Sequence, residues 1–153
     1  MTLANPPFGD ADPRIAYNRV FFALLRIDRS LVPGIAAALR EMGISDPIWY
    51  EILLATEEAG EEGVPMQALQ QRLCVPQYAL SRHVARIEKA GYVRRQAIPG
   101  AGRGQRLFLA PSAVGLQAKV ADIYLGRIQE SLSPRLSPDE AYDLVRLLNR
   151  LYD

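Results

Sequence analysis

The period of the apolar residues changes at Gly91. Before it, Leu80, Val84 and Ile87 recur every three or four positions, the spacing of one helix face; after it, YVRRQAI (92–98) and QRLFLA (105–110) alternate with a period near two. Between these two short strands lies PGAGRG (99–104). A dinucleotide-binding fingerprint needs its glycines after a strand and at the start of a helix, whose N-terminus receives the pyrophosphate. Here a strand follows instead. A P-loop needs Gly-Lys-Ser/Thr, which is absent. The glycines therefore read as the tip of a β-hairpin that follows a helix directly.

The rest of the chain reads as helices. Tyr17, Val20, Phe21, Leu24, Ile27 and Leu31 predict a helix from Pro13 to about Met42, kinked or divided at Pro33-Gly34, with Phe22 and Leu25 adding apolar surface outside the stripe. SDPIWYEILLATEEAGEEG predicts a helix opened by Ser45 or Asp46 and closed in an acidic loop at 57–63. MQALQQRL (66–73) is a short helix, CVPQ breaks it, and residues 77–90 resume. A helix over 112–132 and a last one opened by Ser137, Pro138 and Glu140 as a capping box complete the order. The sequence predicts helix, helix, helix, helix, hairpin, helix, helix, mainly α with a small β element (α+β).

At 153 residues and 49% hydrophobic, the chain is long enough for one domain with its own core, and it shows no repeat or low-complexity linker. No apolar run reaches the roughly 18 to 20 residues of a membrane span. Residues 1–12 lack the basic and apolar regions of a signal peptide, so the expected location is cytoplasmic. One cysteine (Cys74) and one histidine (His83) are too few for a zinc site. With no paired catalytic groups and no nucleotide loop, neither an enzyme nor a bound cofactor or metal is expected.

Charge is unevenly distributed. Residues 46–62 carry six acids and no Lys or Arg, whereas residues 78–106 carry seven bases (Arg82, Arg86, Lys89, Arg94, Arg95, Arg103, Arg106) against one acid, Glu88. A basic segment in a nearly neutral protein is a candidate polyanion footprint. Two helices joined by a tight turn and followed by a hairpin are the chain order of a winged helix-turn-helix, whose second helix enters the DNA major groove. Gln77, Tyr78, Ser81 and Arg82 lie early in that helix, away from Leu80, Val84 and Ile87; glutamine pairs with adenine and arginine with guanine. Arg86 and Lys89 are placed to meet phosphates, His83 is a weaker contact, and Arg103 and Arg106 flank the hairpin tip.

The stretch from Met66 to Leu116 resembles the MarR family of bacterial transcription regulators, through Ser81-Arg82, IEKAGYVRR (87–95) and the wing; PIWYEILLA (47–55) is similar to the helix that precedes the reading head. The resemblance implies a winged helix-turn-helix over 46–110, with a recognition helix near 77–90 and a two-stranded wing near 92–110. Flanking segments 13–44 and 112–153 would be dimerisation helices. It further implies a homodimeric repressor that reads a palindromic operator in duplex DNA, with half-sites about 34 to 36 Å apart. A small aromatic or phenolic effector would release it, with Phe22, Trp49 and Tyr50, and Phe21 beside them, as candidate ligand contacts.

Two features depart from the family pattern. Ala101 and Gly102 stand where an aspartate and a basic residue usually precede the wing arginine, and Ala110 replaces a threonine. Cys74 reads first as a small buried residue packing the turn, although some members of the family sense oxidants through cysteine. The altered wing and the acidic stretch leave a second reading open, a winged-helix protein-interaction module without specific DNA binding.

Overall fold

The computed structural model describes residues 8–100, 102 and 104–152. Contacts group the chain into two compact units, Met1–Gly34 and Ile35–Asp153. The first helix, α1 (Ile15–Arg40), belongs to both and is continuous, with Pro33 inside it. The expected division at Pro33-Gly34 therefore does not occur. A proline removes only its own donor, and the ladder on either side of that missing bond is long enough to carry the helix through.

In the first unit, Asp12 opens α1: its Oδ1 accepts from the Arg14 amide at 2.9 Å, and its carbonyl accepts from the Ile15 amide at 3.1 Å. Arg19 donates to both carboxylate oxygens of Asp10 at 2.6 and 2.7 Å and lies 4.8 Å over the Phe8 ring. The apolar stripe read from the sequence is present but uncovered, and Tyr17, Val20, Phe21, Phe22, Leu24 and Ile27 are all exposed.

The second unit holds the core. α2 (Ile48–Ala59) starts where Asp46 Oδ1 accepts from the Ile48 amide at 3.1 Å. It buries Ile52 and Leu53, while Thr56, fully enclosed, donates its hydroxyl to the Ile52 carbonyl at 2.6 Å. α3 (Met66–Leu73) has the bounds the sequence predicts and α4 (Gln77–Lys89) ends one residue before the expected 90, with Leu69, Leu80, Val84 and Ile87 packed beneath them. Full burial of each such aliphatic side chain contributes roughly 1.5–3 kcal/mol.

The hairpin pairs β2 (Val93–Ala97) with β3 (Gln105–Leu109) in antiparallel register from Val93↔Leu109 to Ala97↔Gln105, closed by the Ile98 amide donating to the Gly104 carbonyl at 2.9 Å. A third strand, β1 (Val64–Pro65), adds to the far side of β3, giving the order β1-β3-β2. The expected two-stranded wing is thus part of a three-stranded sheet, because a two-residue strand is too short to show a period. Gly63 precedes it at φ +69°, where a Cβ would stand 2.7 Å from the Phe108 ring.

α5 (Leu116–Leu132) begins four residues later than the 112 expected. Pro111–Ala113 forms a separate 3-10 turn, Val114 is extended, and Gly115 at φ +83° resets the chain direction. α6 (Pro138–Asn149) opens with the predicted capping box, in which the Glu140 amide donates to Ser137 Oγ at 3.2 Å and the Ser137 amide donates to Glu140 Oε2 at 2.9 Å. Among the described residues, no helix is long and apolar enough to cross a membrane.

Candidate nucleic-acid interface

Three elements position the basic segment. α4 follows an extended Pro76, and its apolar side, Leu80, Val84 and Ile87, is sealed in the core at 0–1% exposure. The opposite side is left to solvent. Tyr78, Arg82, Arg86 and Lys89 are exposed there, with Tyr78 at 73%; Gln77 is exposed at the helix's first position, and Ser81 and His83 are half-buried. The Nδ1 of His83 is enclosed without a hydrogen-bond partner among the described residues, so only Nε2 is available to an outside group.

The turn before α4 is made by Cys74 at φ +52°, the one non-glycine residue with positive φ among those described. Cys74 is exposed, which corrects its reading as a buried packing residue. A left-handed cap ends α3 by aiming its backbone out of the helix, and the side chain is carried outward with it.

The hairpin is held to α4 by a pair that sequence reading did not single out. Arg95 donates from Nη2 and Nε to Glu88 Oε1 at 2.9 and 3.3 Å, and its amide donates to Oε2 at 3.2 Å. β2 is an edge strand, so Glu88 also covers a backbone donor that the sheet leaves unpaired. The Arg95 side-chain hydrogen bonds hold the Glu88 carboxyl below the usual glutamate range. The signal was the single acid in a basic run, spaced seven residues from an arginine.

Strand alternation places Gln105, Leu107 and Arg95 on the face toward α4, and Arg94, Gln96, Arg106 and Phe108 on the other. Arg94 lies 4.4 Å over Phe108, and Arg106 donates to the Glu62 carbonyl at 3.4 Å. Arg106 is therefore on the side of the sheet away from the exposed face of α4. Arg103 and Ala101 lie outside the described residues. Trp49 and Tyr50 are core residues at 5% and 7% exposure. Tyr50 packs edge to face on Tyr124 at 4.9 Å and accepts from Gln117 Nε2 at 3.3 Å. Phe22 belongs to the first unit and is exposed. Among the described residues, no three His, Cys, Asp or Glu side chains gather as metal ligands.

Residues 42–104, the segment that holds α2, α3, α4 and the first hairpin strand β2, match the model of the MarR family. The fold is a MarR-like winged helix. The MarR-family regulator Sco3205 from Streptomyces coelicolor, solved in complex with DNA, superposes with a TM-score of 0.78 at 22% identity, over 88% of this chain and 84% of that one. A cysteine-to-serine mutant of MarR from Escherichia coli, complexed with operator DNA, gives a TM-score of 0.76 at 19% identity over 94% and 100% of the two chains. An organohalide-sensing regulator in its 2,4-dichlorophenol-bound form gives 0.77 at 14% identity over 99% and 86%. No curated protein matches the chain by sequence. The resemblance read from Ser81-Arg82 and IEKAGYVRR thus extends to the MarR-like fold over most of the chain.

Proposed function

We propose that this protein is a transcription regulator that binds duplex DNA through the exposed face of α4, acting as a homodimeric repressor on a palindromic operator. The observation that carries the reading is α4 itself. Its apolar stripe is fully buried, and what it offers outward is Gln77, Tyr78, Arg82, Arg86 and Lys89, a set containing adenine- and guanine-reading side chains followed by phosphate-binding ones. Arg103 at the hairpin tip is proposed to reach the neighbouring minor groove or backbone.

Dimerisation is supported by apolar surface that the chain does not cover. In α1, Tyr17, Phe21 and Phe22 are exposed; in α6, Tyr142, Leu144 and Leu147 are exposed, and no α6 residue is buried. Several large apolar side chains exposed on one helix mark an association site. Segments 13–44 and 112–153 are accordingly proposed as the dimer interface and 46–110 as the DNA-binding region, in a cytoplasmic protein. Release by a small aromatic or phenolic effector is proposed from the resemblance and from the dichlorophenol-bound relative. Such control requires the ligand to prefer the non-binding state. Trp49 and Tyr50 are packed in the core, so a ligand reaching them would have to displace core contacts.

Selection from random duplex DNA tests the reading, with Arg82→Ala run beside the parent. Enrichment of a palindrome that Arg82→Ala binds about 10- to 100-fold more weakly is expected, since one guanine contact is worth roughly 1–3 kcal/mol. Weak, salt-sensitive binding with no enriched motif would favour the protein-interaction module instead.

A further inference from the structure

A cleft of about 500 Å³ opens between α3, α4 and the hairpin, beside the exposed face of α4. Its walls carry four carboxamides and a hydroxyl: Gln67 and Gln70 from α3, Gln77 and Ser81 from α4, and Gln105 from β3. No acidic or basic side chain lines it among the described residues, although the chain on either side is strongly charged. The donors are also unspent. Among the described residues, the glutamine side chain that donates a hydrogen bond is Gln117, which does not line this cleft. Three separate elements therefore converge uncommitted polar groups on one concavity, with Leu80 and Ile98 as its apolar wall.

We propose that this cleft grips the DNA backbone through neutral donors, with Gln67, Gln70, Gln105 and Ser81 hydrogen-bonding phosphodiester oxygens. The inference rests on the DNA-binding reading of α4 and deepens it. Each carboxamide presents two N–H groups, and a phosphodiester shares one negative charge over two oxygens, so these contacts are charge-assisted with no cation among the described lining residues. The absence of acids leaves nothing in the cleft to repel a phosphate. Bases are met along the outward face of α4, whereas the cleft lies to its flank, between helix and hairpin, where a strand's backbone would pass.

The consequence is measurable. A lysine or arginine on a phosphate displaces a condensed counterion and adds to the salt dependence of binding; a glutamine adds affinity and displaces none. The test measures affinity against salt for a mixed-sequence duplex, using the parent, Gln67→Ala, Gln105→Ala, the isosteric Gln105→Glu, and Arg86→Ala. The proposal predicts that each alanine variant weakens binding about tenfold at every salt concentration, giving a line parallel to the parent's. Gln105→Glu, which keeps the side chain's shape and so leaves the fold unchanged, should weaken binding further than Gln105→Ala. Arg86→Ala should instead flatten the slope by about one. Parent-like affinity in the alanine and glutamate variants, with Arg86→Ala still flattening the slope, would overturn the cleft proposal and leave the α4 reading standing. Absence of binding by the parent would overturn both.

Discussion

α4 and α6 are helices of similar length, 13 and 12 residues, and both carry a clear apolar side. Their fates differ. α4 seals Leu80, Val84 and Ile87 in the core and leaves a polar face open, whereas α6 buries nothing and exposes Leu144 at 42%, Val145 at 49% and Leu147 at 55%. An amphipathic helix is stabilised chiefly by what its apolar face packs on. For α4 that partner is this chain. The apolar side of α6 has no such cover among the described residues, and in the dimer proposed above a second copy supplies it, as it does for the exposed stripe at the start of α1. Amphipathicity alone therefore does not say what a helix is for; the face left unsatisfied does. On α4 that face suits a polyanion, and on α6 it suits another apolar surface.

The largest effect that would sharpen this contrast is in the core beneath α4. Leu80→Ala should cost about 2–5 kcal/mol of stability, read by urea unfolding, with the same loss at every protein concentration. On α6 the outcome should depend on concentration. Leu147→Glu is expected to leave the fold of one chain intact while weakening association by about 2 kcal/mol, seen as a shift toward monomer in sedimentation. An unchanged association state would break the comparison.

Smaller effects fall where α4 meets the hairpin. The Glu88 carboxyl is held below its ordinary value of 4.5 by Arg95, so its contribution is fully present above about pH 4.5 and is lost as pH falls through the lowered value. Because the pair is partly exposed, that contribution is at most about 1 kcal/mol. Protection of the Arg95 amide against hydrogen exchange, taken relative to its intrinsic rate at each pH, should fall on acidification below pH 4.5 in the parent, and Glu88→Gln should lack that step. The smallest change is expected at Cys74, whose left-handed backbone suits glycine. Cys74→Gly should leave stability equal or slightly raised, whereas the β-branched Cys74→Val should lower it by about 1–2 kcal/mol in thermal unfolding.

The elements whose period is long enough to repeat were legible in the sequence. α3 and α4 fall within one residue of their predicted bounds, the hairpin lies where the period changes, and Ser137 caps α6 with Glu140 as expected. What failed is local and has physical causes. β1 has two residues and no period, the late start of α5 depends on backbone angles at Val114 and Gly115, and α1 passes through Pro33 because one lost bond is a small fraction of a long ladder. At the candidate interface, spacing on α4 separated the buried Leu80, Val84 and Ile87 from the exposed Tyr78, Arg82 and Arg86, whereas Gln77 is exposed because it opens the helix. Spacing could not foresee contacts between elements. The Glu88–Arg95 clamp, the Arg106 bond to the Glu62 carbonyl and the cleft that joins Gln67 to Gln105 all depend on how the hairpin lies against the helices.

The contrast between the two helices can be tested directly with a photo-crosslinking amino acid placed singly at Tyr78 on α4 or at Leu147 on α6, in protein mixed with duplex DNA. The account predicts DNA adducts from position 78 and chain-to-chain adducts from position 147. DNA captured from 147 and not from 78 would contradict it.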